Sequence, residues 1–214
     1  MKQSVLHTKI YAVRHGETLW NLCGKQQGHA DSPLSERGIA QAEALAQSLS
    51  GRNISAIYSS DLGRAVQTAE IIAARLELDV QTDARLRERH LGVLQEISKT
   101  QFAQSHPEES RMYNSGDPDY IIPGGESARQ RYERCVSCIQ ELAVRHHGQN
   151  ILIVAHGGTL SSLFYRTLQL SLETPRRFMV PNAALNCVDI SPHGDWTLEL
   201  WGEVSPLFRI EEKV

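Results

Sequence analysis

Apolar residues along this chain follow two alternating rhythms: short β-branched runs, and longer stretches with an apolar residue every third or fourth position. Residues 9–13 (KIYAV) read as a strand, and Ser35 is placed to cap a helix running to Leu49. A second strand is predicted over 54–59. Leu62, Ala65, Val66, Ala69, Ile72, Ala73 and Leu76 then form a helical stripe, and 78–81 is a candidate third strand. From 85 to 125 the pattern lapses into a polar, irregular region that closes on the turn Pro123-Gly124-Gly125. Periodicity returns over 126–147, a long helix with Tyr132, Val136, Ile139 and Leu142 on one side. The run NILIVA (150–155) is short enough to be a buried strand, and 157–170 is helical again. Residues 184–190 and 196–201 form the last two strands, joined by a turn at Pro192-His193-Gly194-Asp195.

This order implies a three-layer α/β/α sandwich with a mostly parallel central sheet and an antiparallel strand contributed by the final hairpin. The 214 residues, 41% of them hydrophobic, can fill one core. The expectation is a single domain over 1–214, with 85–125 as a polar, cap-like insertion. A net charge of −3 gives no polyanion-binding surface, so nucleic acid is not an expected partner. No window approaches the roughly 18 to 20 apolar residues of a membrane span. The polar stretch 1–9 lacks the apolar core of a signal peptide, and a cytoplasmic location is expected. Four cysteines are too scattered for a disulfide framework. Cys135 and Cys138 form a C-x-x-C, but inside a helical stripe and without a second pair, so they read as core thiols.

Chemistry gathers at three strand-to-helix junctions. Arg14-His15-Gly16 follows the first strand, Ser59-Ser60-Asp61 leads to Arg64 after the second, and His156-Gly157-Gly158 follows NILIVA. Ligands of open α/β sheets bind outside the carboxyl ends of strands, where helix N-termini present free N–H groups to anions. Arg14, Arg64, His15 and His156 are thus candidates for one rim. Two guanidiniums and two imidazoles there suit a phosphate dianion. The chain has no G-x-x-x-x-G-K-[ST], no G-x-S-x-G and no H-E-x-x-H. Its nine histidines show no metal-ligand spacing, so no metal is expected. His7, His29, His106, His146, His147 and His193 read as solvated surface.

Five blocks in order carry a family resemblance. They are RHGETLWN (14–21), DSPLSERG (31–38), SSDLGRAVQTA (59–69), PGGES (123–127) and VAHGG (154–158). Together they resemble the signatures of the histidine phosphatase superfamily, with its phosphoglycerate mutase-like fold. The resemblance implies that His15 attacks a phosphate monoester to give a phosphohistidine. Arg14, Arg64 and His156, joined by Asn21 and Gly157, would then hold the phosphoryl oxygens. Glu88, within Arg87-Glu88-Arg89-His90, matches the family's proton donor. Gln27, Gly28, Arg89, His90, Arg111 and Tyr120 are candidates for the substrate mouth.

The function expected is a metal-independent phosphatase of small phosphorylated metabolites, needing no cofactor and acting as a monomer or homodimer. Two alternatives stand beside it. A phosphoglycerate mutase would require 2,3-bisphosphoglycerate and further cations, and from 91 to 128 only Lys99 and Arg111 are fixed cations. A catalytically inactive module that only binds phosphorylated ligands would be marked by loss of His15 or Glu88, and both are present.

Overall fold

The computed structural model describes residues 6–207; residues 1–5, at the head of the polar N-terminal stretch, and 208–214 lie outside it. In chain order the elements are β1 (Thr8–Arg14), α1 (Leu19–Leu22), α2 (Glu36–Leu49), β2 (Ile54–Ser59), α3 (Gly63–Leu76), β3 (Val80–Thr82), α4 (Lys99–Ser105), α5 (Pro107–Asn114), α6 (Ala128–Arg145), β4 (Asn150–Ala155), α7 (Gly157–Thr167), β5 (Leu185–Ile190) and β6 (Trp196–Glu203). The strands form one sheet in the order β3-β2-β4-β1-β5-β6. The first four of these are mutually parallel. β5 is antiparallel to β1 as well as to β6, so the reversed strand lies one in from the edge.

Strand alternation creates the three layers, because successive side chains point to opposite faces. Ile10 and Ala12 of β1, with Ile151 and Ile153 of β4, pack against Ile139 and Leu142 of α6 and Leu160 and Leu163 of α7. Tyr11, Val13, Leu152 and Val154 point the other way, onto Leu45 and Leu49 of α2 and Ala65, Ala69 and Ile72 of α3. Both faces of β1 and β4 are buried, which is why they read as nearly continuous apolar runs. Side-chain caps mark helix starts: Ser35 accepts from the Gly38 N–H, and Ser127 and Gln130 form a capping box at α6. Cys135 and Cys138 are buried on the inner side of α6 and carry free thiols.

The irregular region is more structured than its pattern suggests. It holds α4 and α5, each two turns or so, around a small cluster of Leu91, Leu94, Phe102 and Ile122. Their short apolar faces give too few repeats to register as helical periodicity.

One close approach ties the fold to the rim. Gly38, in the first turn of α2, lies so near residue 17 that a Cβ would collide with the Glu17 carbonyl oxygen. A Cβ on Gly16 would strike the Gly38 carbonyl oxygen at 2.5 Å. The loop after β1 therefore rests backbone-to-backbone on α2. Gly38→Ala should destabilise the protein by about 1–3 kcal/mol in urea unfolding, and should displace the 15–17 loop enough to lower turnover.

Candidate active site

β2, β4 and β1 are adjacent, so their carboxyl ends deliver the three predicted junctions to one rim. The ladder continues past the strands. The His15 N–H donates to the Ala155 carbonyl at 2.9 Å, and the Ser60 N–H to the Val154 carbonyl at 3.0 Å. The junction residues thus start from fixed backbone.

His15 is 3% exposed, and its Nδ1 lies 2.8 Å from the Gly16 carbonyl oxygen. A carbonyl only accepts, so Nδ1 carries the proton and the lone pair sits on Nε2. The His156 ring is 5.3 Å from it, centroid to centroid. His156 is fully buried, and neither of its ring nitrogens has a hydrogen-bond partner. Arg64, 1% exposed, spends Nη1 on the Ala30 carbonyl and Asp31 and Nη2 on the Gly28 carbonyl, leaving Nε unpartnered. Arg14 donates from Nη1 to the Val180 carbonyl at 2.7 Å, and its Nε is also unpartnered. Buried donors without acceptors are costly. Arg14 and Arg64 line one cavity with His15, and His156, outside that lining, packs against the His15 ring, an arrangement that suits an anion.

The electrostatics agree. Burial, then the charges of Arg14 and Arg64, push His15 well below its ordinary pKa. His156 is pushed well down by burial, Arg64, His15 and Arg14. Both imidazoles are neutral in the free protein. Burial lowers Arg14 to about 10, so it remains charged near neutrality. Burial pushes the Glu88 carboxyl up, but the Arg131 charge, the Gly158 and Arg89 N–H groups and Arg64 together hold it below the usual carboxylate value. Its Oε2 accepts from the Gly158 N–H at 2.8 Å and its Oε1 from the Arg89 N–H at 2.7 Å. A Cβ at 158 would collide with Glu88 Oε1, so a larger residue there would push the carboxyl out of this position. Arg134 sets the Glu88 backbone by donating to the carbonyls of Arg85, Arg87 and Glu88 at 2.7 to 2.8 Å.

A cavity of about 310 Å³ opens over these groups, lined by Arg14, His15, Asn21, Gln27, Gly28, Arg64, Glu88, Arg89 and Gly157. Asn21 Oδ1 accepts from the Thr18 N–H and from Asn182, which leaves its Nδ2 for a ligand. Gln27 donates to Thr18 Oγ1 and keeps a buried, unpartnered Oε1. Turned over, the same amide would take the Thr18 hydroxyl proton and offer Nε2 to an anion.

Three mouth candidates are absent from this lining. Arg111 is exposed and paired with Glu108. The Tyr120 carbonyl accepts from Arg89, and His90 Nδ1 accepts from the Gly92 N–H. Two of the histidines taken as solvated are structural: His29 is half-buried with Nε2 on the Glu88 carbonyl, and His146 bonds Tyr58 and Gln149. In their place the lining includes Lys25, Lys99, Tyr113, Arg131 and Arg176. Asn182 Nδ2 also lies 3.1 Å from the His15 carbonyl and 3.2 Å from that of Gly16. The available signals were weak: an arginine on the polar side of α6, and the pair Arg176-Arg177 in a loop. Among the described residues no group of three or more His, Cys, Asp or Glu is placed to hold a metal. Likewise none of their helices is long and apolar enough to cross a membrane.

Comparison with known proteins extends the resemblance to most of the chain. A model of the histidine phosphatase superfamily (branch 1) matches residues 10–204. Phosphoglycerate mutase-like protein 4 of Arabidopsis thaliana is 39% identical over 208 residues, 96% of this chain and 89% of that one. A metal-independent phosphoserine phosphatase of the same plant is 37% identical over 206 residues, covering 95% and 84%. Among solved structures, a mycobacterial glucosyl-3-phosphoglycerate phosphatase in complex with VO3 superposes with a TM-score of 0.83 at 31% identity, covering 92% of this chain and 99% of that one.

The two buried neutral imidazoles make stability pH-dependent. Unfolded, each takes up a proton below about 6.5. Folded, each resists until well below that. The unfolded state then binds more protons, so stability should be fully present above pH 6.5 and fall as pH drops, by up to about 1.4 kcal/mol per pH unit for each ring. Urea midpoints between pH 7.5 and 5.5 in phosphate-free buffer check this. His156→Gln should show a shallower slope, and added inorganic phosphate should flatten the wild-type profile.

Proposed function

This chain belongs to the histidine phosphatase superfamily (branch 1), and we propose that within it the protein is a phosphatase of small phosphate monoesters. The observation that carries the reading is the neutral His15, its Nδ1 proton held by Gly16, beside two guanidiniums whose Nε groups lack an acceptor. The metal-independent phosphoserine phosphatase and the glucosyl-3-phosphoglycerate phosphatase among its relatives support it.

In the first step His15 Nε2 attacks phosphorus in line, a P–N bond forms, and the ester P–O bond breaks. The leaving alkoxide takes a proton from Glu88. Arg14, Arg64, Asn21 and His156 hold the oxygens on which charge redistributes. In the second step water attacks the phosphohistidine, Glu88 takes its proton, and the P–N bond breaks to release phosphate and neutral imidazole. Glu88 is ionised in the free protein, so its proton must come with the substrate. A phosphate dianion close to the carboxyl raises its pKa, and a monoanionic ester can supply the proton directly.

Neither step uses a metal or a cofactor, and the free cysteines fit the cytoplasm, where thiols stay reduced. Hydrolysis of p-nitrophenyl phosphate should therefore continue in excess chelator. His15→Ala should abolish both turnover and the acid-labile label left by a radioactive substrate; retained label would move the nucleophile elsewhere. Glu88→Gln should cost about 10²–10⁴-fold on alkyl phosphates and far less on p-nitrophenyl phosphate, whose leaving group needs no proton. Isomerisation of 3-phosphoglycerate, appearing only with 2,3-bisphosphoglycerate, would instead identify a mutase.

A further inference from the structure

Glu88 is held at both of its ends, and the two ends are reached from different parts of the fold. Its carboxyl is fixed from α7 through the Gly158 N–H. Its carbonyl accepts from two side chains, Arg134 Nη2 of α6 at 2.7 Å and His29 Nε2 at 2.8 Å. A carbonyl oxygen has two lone pairs, and here both are in use. Because that oxygen only accepts, the His29 proton sits on Nε2. Burial first lowers the His29 pKa, so the ring is neutral near neutrality.

His29 belongs to the loop that carries the phosphate-side cation. Gly28 and Ala30 flank it, and their carbonyls accept from Arg64 Nη2 and Nη1 at 2.8 and 2.9 Å. Asp31 takes the Arg64 backbone N–H as well as Nη1. The loop is thus bound to α3 on one side, while the His29 ring crosses to Glu88 on the other. Edge-on contact with the His90 ring, 4.5 Å between centroids, steadies the imidazole. Among the described residues no other hydrogen bond joins 28–31 to 85–90.

The carbonyl that His29 meets shares a peptide group with the Arg89 N–H, which donates to Glu88 Oε1 at 2.7 Å. A donor on the oxygen of a peptide polarises its N–H and strengthens the bond that N–H makes. The ring therefore acts on the carboxyl twice, by placing the residue and by reinforcing a bond to its Oε1.

We propose that His29 is a positioning residue for proton transfer, holding Glu88 at a set distance from the Arg64 cradle through the Glu88 carbonyl and the peptide that follows it. This rests on the phosphatase reading above, in which Glu88 protonates the leaving oxygen. Arg64 and Glu88 act on one ester, the first on its phosphoryl oxygens and the second on its bridging oxygen. An error in their separation is felt at the bond that breaks.

The test compares kcat/KM for glycerol 3-phosphate, whose alkoxide needs a proton, with that for p-nitrophenyl phosphate, whose phenolate does not. This constant covers the steps up to release of the alcohol, so the second displacement does not enter. His29→Phe keeps a ring against His90 and loses the donor. It should lower the alkyl ester about tenfold or more and the aryl ester less than about threefold. His29→Gln keeps an N–H donor and should restore most of the alkyl activity. If urea unfolding shows that the Phe variant does not fold, His29→Asn, too short to reach the carbonyl, takes its place with the same expectation. Equal losses on the two esters, no loss on either, or no rescue by Gln would overturn the positioning role. Glu88→Gln is the reference: if it lowers both esters equally, Glu88 is not the acid and the role of His29 falls with it. Wild-type protein that hydrolyses neither ester sinks the phosphatase reading itself.

Discussion

The site is organised by a debt of hydrogen bonds. Arg64 sits almost wholly out of solvent with one carboxylate and two carbonyls for company, Arg14 has a carbonyl, and His156 has nothing. Desolvated positive charge of this kind is tolerated only when the surrounding backbone holds it in place. The carbonyls of Gly28, Ala30 and Val180 do so by taking one edge of each guanidinium and turning the other inward. The imidazoles stay neutral because a further cation would be too costly there. An arriving anion reverses that balance, supplying acceptors to donors that have already lost their water. Little reorganisation is left for the transition state.

Glu88 lies at the opposite sign of the same field. Two backbone N–H groups and the Arg131 charge hold it as a carboxylate. That state suits accepting a proton from water but not giving one to an alkoxide. The two proposed half-reactions thus ask for different protonation states of one group, and the occupancy of the phosphate position would switch between them. Arg134 fixes the backbone that carries this carboxyl, since it grips three carbonyls of the 85–88 segment and is itself paired to Glu126.

What the sequence revealed follows from how local each signal is. β1 and β4 were legible because both of their faces are buried, and the helix starting at Ser35 because its cap is written in one residue. Arg14, His15, Arg64 and His156 were legible because each ends or follows a strand or opens a helix, so strand order alone brings them together. Arg131 and Arg176 were not, because nothing local distinguishes an arginine that faces a cavity from one that faces water. Arg111 was misplaced for the same reason. His29 looked like a surface residue until the 85–90 segment folded over it, a contact made across 59 positions of chain.

One side chain joins these distant parts mechanically. The Asn182 amide reaches the carbonyls of His15 and Gly16 and the Oδ1 of Asn21, while the Ala183 N–H donates to the Arg14 carbonyl at 3.1 Å. Residues 180–183 are therefore stitched to the His15 loop and cannot swing away from it independently. This flank of the cavity behaves as a fixed jamb, and Arg176 stands on the short length of chain just outside the stitches. Any traffic through the opening has to be accommodated on the facing side, where α4 and α5 rest on a cluster of only four buried residues.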